Sequence, residues 1–184
     1  MIIRGEVKLI TPYKLPLVMG NEFSGIVEEV GSSVSNFKKG DRVYARMPLD
    51  KIGAFAEFTS INKDALAHIP DYMSFEEVAC VPLTALTAIQ AFELLDVKSG
   101  ESIFISGGTG SLGAMAIPIA KSLGLKVITS GSARNRERVI NLGVDEFFDY
   151  KTQDYSQILC DVDYVLDTLG EKELEKEFKI LKNH

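Results

Sequence analysis

Residues 103–116 read IFISGGTGSLGAMA, and within them Gly108, Gly110 and Gly113 spell GxGxxG directly after an apolar run. These residue types at this spacing suit phosphate chemistry. Gly108 permits a tight turn, Gly110 lets backbone approach a pyrophosphate, and Gly113 lets a helix pack close to the preceding strand. The N–H groups of Ser111 and Leu112 would open that helix and face phosphate oxygens, helped by the helix dipole, with Thr109 in the loop between the glycines. The motif counts only in a strand–loop–helix setting.

The neighbouring segments supply that setting. KSGESIFISGG reads as turn, strand and glycine loop, and SLGAMAIPIAKSLG as a helix closed by Gly124. LKVITS is a second strand, ARNRERVINLG a second helix closed by Gly143, and DEFFDY a short strand. DVDYVLDTLG reads as a further strand, with Val162, Tyr164, Val165 and Leu166 suited to burial. EKELEKEFKILKN reads as an amphipathic helix with Leu174, Phe178 and Leu181 in line. Alternating strand and helix predicts a parallel sheet with right-handed crossovers. Pro118, inside the loop's helix, costs on the order of 3 kcal/mol unless a kink accommodates it.

The end of the second strand discriminates between cofactors. An Asp or Glu there would bind a ribose 2′-hydroxyl. The segment reads VITSGSARNRER, with no acid between Val127 and Arg136. Ser130, Ser132 and Arg134 occupy it instead. Hydroxyls and a guanidinium suit a 2′-phosphate, so NADPH is favoured over NADH. Arg136 and Arg138 read as solvated residues of a helix face.

Residues 1–70 have a different texture. SGIVEEVGSSV, KKGDRVYAR and GAFAEFTSI carry β-branched and aromatic residues between Gly-containing turns, which suggests a small, mostly β domain. From Ser74, SFEEVACVPLTALTAIQAFELL is helical, with a capping-box spacing between Ser74 and Glu77 and a division at Pro82.

Composition sets limits. The chain has 184 residues, 46% of them hydrophobic, and a net charge of −6, which argues against nucleic acid or an anionic membrane as a general partner. No apolar run approaches the ~20 residues of a bilayer span, and no secretory leader is visible. Two separated cysteines, Cys80 and Cys160, outside any CxxC pattern, suit a reduced, cytoplasmic setting.

The segments GNEFSGIVEEVGSSVSNFKKGDRVYA, GAFAEF, VPLTALTAIQAF, GESIFISGGTGSLGAMAIPIAKSLG and SGSARNRERVINLGVDEFFDY together resemble the medium-chain dehydrogenase/reductases. Among these they are most similar to the zinc-independent quinone and enone reductases. The resemblance implies an α/β Rossmann domain, residues 83–184, preceded by a mostly β GroES-like catalytic domain, residues 1–82, each of them partial. It implies that strands lining the active site precede this chain. Further sheet strands, which commonly form the dimer interface, would follow it, so an exposed sheet edge invites a homo-oligomer.

The resemblance also bears on the site. Zinc-using members carry Gly-His-Glu where this chain has Gly20-Asn21-Glu22, and a four-cysteine lobe where it has RMPLDKIGAF. An amide is a poor zinc ligand, so no metal site and no zinc are expected. Hydride transfer then suits a quinone or an α,β-unsaturated carbonyl. By resemblance Thr87 lies toward the nicotinamide, although it could instead satisfy a helix carbonyl. Tyr150 lies near the adenosine phosphate. Thr168, Leu169 and Gly170 follow a strand end, where ligands gather in open α/β sheets. Tyr44 and Arg46 border the substrate site in the family and with Asn21 are the catalytic candidates; Tyr44 could equally be a core aromatic. Two alternatives stay open: an NADPH-binding module without turnover or a piece completed by another chain, and an alcohol or aldehyde dehydrogenase.

Overall fold

The computed structural model describes residues 14–48, 51–170 and 173–182. The chain forms two compact units, Met1–Leu83 and Thr84–His184.

The first unit is built on an antiparallel sheet of β1 (Glu22–Ile26), β2 (Arg42–Arg46) and β3 (Leu66–His68), in the order β1-β2-β3. Strand β2 alternates as a half-buried strand must: Val43 and Ala45 are buried, while Arg42, Tyr44 and Arg46 take the other face. Helix α1 (Phe75–Ala79) begins at Ser74 with both hydrogen bonds of the capping box in place. It is tied to the sheet by two side chains. Ser24 Oγ donates to the Phe75 carbonyl at 2.7 Å and Arg42 Nη2 to the Met73 carbonyl at 2.7 Å. Helix α2 (Pro82–Leu95) opens on its proline, where the missing N–H costs no helical bond. GAFAEFTSI does not form a strand; Phe55 and Phe58 stand exposed among bends.

The second unit is a parallel sheet in the order β6-β5-β4-β7, from β4 (Ser102–Ile105), β5 (Lys126–Gly131), β6 (Glu146–Asp149) and β7 (Tyr164–Leu166). Both faces are covered, which is why Ile103, Phe104 and Ile105 of β4 are all apolar and buried. Ile103, Ile105 and Val127 pack with Ala116, Ile117 and Ala120 of α3 (Ser111–Ser122), and with Ala88 and Phe92 of α2. Phe104, Ile128 and Phe148 pack on the other side with Tyr155, Val162 and Ile180. Gly124 and Gly143 end α3 and α4 (Arg136–Asn141) with φ of +82° and +102°, as the left-handed position after a helix requires. Pro118 lies on the exposed side of α3, which runs through it.

One expected face is corrected. In α5 (Leu174–Ile180) the expected apolar line is outside: Phe178 is 70% exposed and Leu174 is also exposed. Ile180 and Glu177 point inward instead, because the sheet offers Ile180 a pocket among Phe104, Phe148, Tyr155 and Val162. Among the described residues no helix is long and apolar enough to cross a membrane.

Candidate dinucleotide site

The loop between β4 and α3 is a close-packed turn in which every glycine position has a measurable constraint. Gly107 has φ +65°, and a Cβ there would stand 2.8 Å from both Leu169 Cδ2 and Thr168 Oγ1. The tight turn expected at Gly108 therefore falls on Gly107. Gly108 is needed for proximity: its Cβ would meet Thr129 Oγ1 at 2.1 Å. A Cβ on Gly113 would lie 2.6 Å from the Gly107 carbonyl oxygen and from Gly108 Cα, so only glycine lets α3 start this close to the loop. Gly110 is the least crowded, with its nearest neighbour at 3.3 Å, and forms the cap of α3 without a side-chain hydrogen bond.

Helix α3 makes its first internal bond from Ala114 N–H to the Gly110 carbonyl at 2.8 Å. The N–H groups of Ser111, Leu112 and Gly113 thus have no intrahelical partner and sit at the positive end of the helix. The cradle has the chemistry of an anion site.

The strand beside it holds the loop in place. Gly108 N–H donates to Thr129 Oγ1 and to the Ser130 carbonyl, both at 3.1 Å. Ser130 is 3% exposed and turns its Oγ toward the Gly107 N–H at 3.5 Å. This corrects its expected role: buried, the hydroxyl supports the loop rather than facing a phosphate. Beyond β5, Ser132 is half-buried, and Arg134 is exposed on a 3-10 turn, Ala133–Asn135. Gly131 lets Thr109 approach, since a Cβ there would lie 2.7 Å from Thr109 Cγ2. Tyr150 is exposed and donates its N–H to the Gly131 carbonyl at 3.3 Å, which brings it to the same strand end. Arg136 and Arg138 are exposed on α4.

Thr168, Leu169 and Gly170 form a turn after β7 that lies against Gly107, at the point where the sheet order reverses around β4. Asp167, which sequence reasoning missed, organises it. Its Oδ1 accepts from Leu169 N–H at 2.7 Å, Gly170 N–H at 2.9 Å and Ser106 Oγ at 3.0 Å. Burial pushes the Asp167 carboxyl up, but those two amides and the hydroxyl outweigh it and hold it below the usual carboxylate range. Thr168 Oγ1 donates to the Ser106 carbonyl at 2.6 Å, and its N–H donates to Ser106 Oγ at 3.0 Å. Gly107, Ser106 and Thr129 were missed as well. The doubled glycine and the Asp closing a buried strand were the available signals. Thr87 lies on the exposed side of α2.

In the first unit, Tyr44 and Arg46 share a face of β2, and Arg46 pairs in register with Glu22. Arg46 Nε is buried and has no hydrogen-bond partner among the described residues. Asn21 is exposed and its carbonyl accepts from Met47 N–H at 2.6 Å, extending the ladder. Glu22 Oε1 accepts the Leu83 N–H at 2.7 Å, at the start of α2. His68 stacks on Phe37, ring centroids 4.7 Å apart. Among the described residues no three His, Cys, Asp or Glu side chains are placed to hold a metal ion.

Residues 1–71 match the alcohol dehydrogenase GroES-like domain family, and residues 111–184 the zinc-binding dehydrogenase family. The chain is 34% identical over 180 residues to a 2-methylene-furan-3-one reductase from Solanum lycopersicum, covering 94% of this chain and 46% of that protein. It is 31% identical over 179 residues to the quinone oxidoreductase of Mus musculus, covering 92% and 54% respectively. Among solved structures it superposes on Escherichia coli quinone oxidoreductase complexed with NADPH with a TM-score of 0.84 at 28% identity, covering 100% of this chain and 59% of that one. The chain spans about half the length of the curated relatives it matches.

Proposed function

Because this chain belongs to the medium-chain dehydrogenase/reductase superfamily, of the quinone and enone oxidoreductase type, we propose that it serves NADPH-dependent reduction of a quinone or an α,β-unsaturated carbonyl. The observation that carries this reading is the glycine cradle beside an acid-free β5 end. Side chains at Gly108 and Gly113 would fill the space that a bound pyrophosphate's loop requires. The N–H groups of Ser111 and Leu112 bind the pyrophosphate. Ser132 and Arg134 take the 2′-phosphate, and Tyr150 flanks the adenosine. The 168–170 turn and Thr87 bound the nicotinamide.

The chemistry that NADPH would supply when held there is a hydride for an electrophilic carbon. On the first unit, Tyr44 and Arg46 would be the groups to orient an acceptor's carbonyl oxygen. Asn21 contributes an amide at the same end of the β1–β2 ladder.

The zinc in one matching family's name does not fit the described residues. Asn21 stands in the place of an imidazole, Glu22 already caps α2, and His68 is stacked on Phe37.

The test is to follow nicotinamide absorbance with NADPH and a panel of quinones and enones. Consumption that requires an acceptor and persists in chelator supports the reading. Measured NADPH binding with no consumption for any acceptor would overturn the hydride-transfer part.

A further inference from the structure

Helix α5 turns an acid into the sheet. Glu177 is 3% exposed, and among the described residues its Oε1 has no hydrogen-bond partner. A buried polar group left unpaired is costly, and more so when charged. Its surroundings are the supports of the cofactor turn. The charge of Asp167, after β7, and the hydroxyl of Ser106, at the end of β4, both act on its carboxyl.

We propose that Glu177 is a positioning residue for the 168–170 turn: its carboxyl shares the Ser106 hydroxyl with Asp167, so that its protonation state sets how firmly the turn lies on the glycine loop.

The argument is one of proton counting. Ser106 Oγ has a single proton, and it donates to Asp167 Oδ1 at 3.0 Å while accepting the Thr168 N–H at 3.0 Å. With its proton on, Glu177 does not compete for that hydrogen and brings no second charge beside Asp167. Ionised, it is acceptor-only. It then draws on the Ser106 hydroxyl and repels Asp167, whose other bonds hold the Leu169 and Gly170 amides.

The neighbours that face Glu177 favour the protonated form. Burial, then the Asp167 charge, push its pKa up, with Glu173 adding to them and only the Ser106 hydrogen bond opposing. Tyr155, on the 3-10 turn Tyr155–Gln157, donates its hydroxyl to Glu173 Oε2 at 3.2 Å. Lys176 pairs with the same Glu173 oxygen at 3.3 Å, 5.9 Å from the Tyr155 ring centroid, so this cation is spent on Glu173. For an acid held above its unfolded value, the native state keeps a proton that the unfolded chain has released. Stability therefore falls as pH rises from the ordinary Glu value through the folded one. Because Thr168 and Leu169 pack on Gly107, loosening the turn releases the first glycine of the cradle. This last step rests on the dinucleotide reading above.

The experiment is amide NMR of the chain without cofactor from about pH 5 to about pH 9, a range that spans buried carboxyls. The Leu169 and Gly170 resonances should inflect at the pH where the Glu177 side-chain carboxyl carbon titrates, and Glu177→Gln should abolish that inflection. In parallel, the NADPH Kd of the wild type should rise about tenfold more than that of Glu177→Gln across this range, one pK unit's worth of coupling. An inflection that survives Glu177→Gln overturns the proposal, as do equal pH dependences of Kd. Should the variant fail to fold, the wild type decides: Leu169 and Gly170 inflecting at a different pH from Glu177 also overturns it. If the turn titrates with Glu177 but the wild type binds no NADPH, the turn device stands and the cofactor reading fails.

Discussion

Thr129 holds Gly108 against the sheet: its buried Oγ1 accepts the Gly108 N–H at 3.1 Å and donates to the Ile105 carbonyl at 2.6 Å. One hydroxyl therefore joins the glycine loop, β4 and β5. A Cβ on Gly108 would fall 2.1 Å from that oxygen, so only glycine fits at 108 beside this hydroxyl. Thr129→Val keeps the shape and removes both bonds. It is expected to cost about 1–3 kcal/mol, the range for buried groups left unsatisfied, while Thr129→Ser stays near wild type. Urea denaturation of the three proteins checks this, and equal midpoints for Val and wild type would refute it.

The glycines of the loop should separate by mechanism. Gly113→Ala drives a Cβ into backbone atoms at 2.6 Å, which cannot swing aside as a side chain would. It should lose about 1–3 kcal/mol of stability by overpacking and bind NADPH at least about tenfold more weakly. Gly110→Ala meets its nearest neighbour at 3.3 Å and should fold almost normally. On the proposed reading its new methyl would stand where the pyrophosphate approaches, so its affinity should still fall. Thermal melts and cofactor titration on both variants measure the two effects separately.

Asp163 clasps β4 to the residues before β7. It accepts from Ser102 N–H at 2.9 Å, Ser102 Oγ at 2.7 Å and Lys182 Nζ at 2.7 Å. The Lys182 ammonium and then Ser102 hold its carboxyl far below the usual range. The sign follows from the depressed folded value. The contribution is present above the unfolded Asp value and is lost as pH falls through the folded one. Asp163→Asn should therefore be less stable by about 1–3 kcal/mol at neutral pH, with the gap closing in acid. A gap independent of pH would show that charge plays no part.

Arg134 is the exposed guanidinium beyond β5. Arg134→Ala should weaken NADPH about tenfold or more, the loss of a charge-assisted hydrogen bond, and leave NADH unchanged. Arg136→Ala, on the exposed face of α4, is the control and should do neither. Equal losses of both cofactors on Arg134→Ala would refute a 2′-phosphate role.

Much of the fold was legible because local chemistry dictated it. The Ser74–Glu77 capping box, Pro82 at a helix start, and Gly124 and Gly143 after helix ends each need only a few neighbouring residues to be read. The glycine loop was legible for the same reason. What escaped depends on distant partners. Asp167 and Ser106 lie 61 residues apart and meet only because β4 and β7 pair in register. The turn moved from Gly108 to Gly107 because Thr129, from the neighbouring strand, claims Gly108. The face of α5 misled for a related reason. Leu174 and Phe178 form the better apolar stripe, but the sheet's pocket accepts Ile180, and Glu177 follows it inward. Ser130 read as a phosphate ligand because nothing in its sequence neighbourhood reveals that its side chain points back at the loop.

The central claim, an NADPH cradle, is tested most directly by titrating NADPH and NADH into the full chain and following nicotinamide fluorescence. The account predicts saturable binding of both, with NADPH tighter by about tenfold or more, as a paired 2′-phosphate requires. Equal affinity for the two cofactors, or tighter binding of NADH, would contradict it.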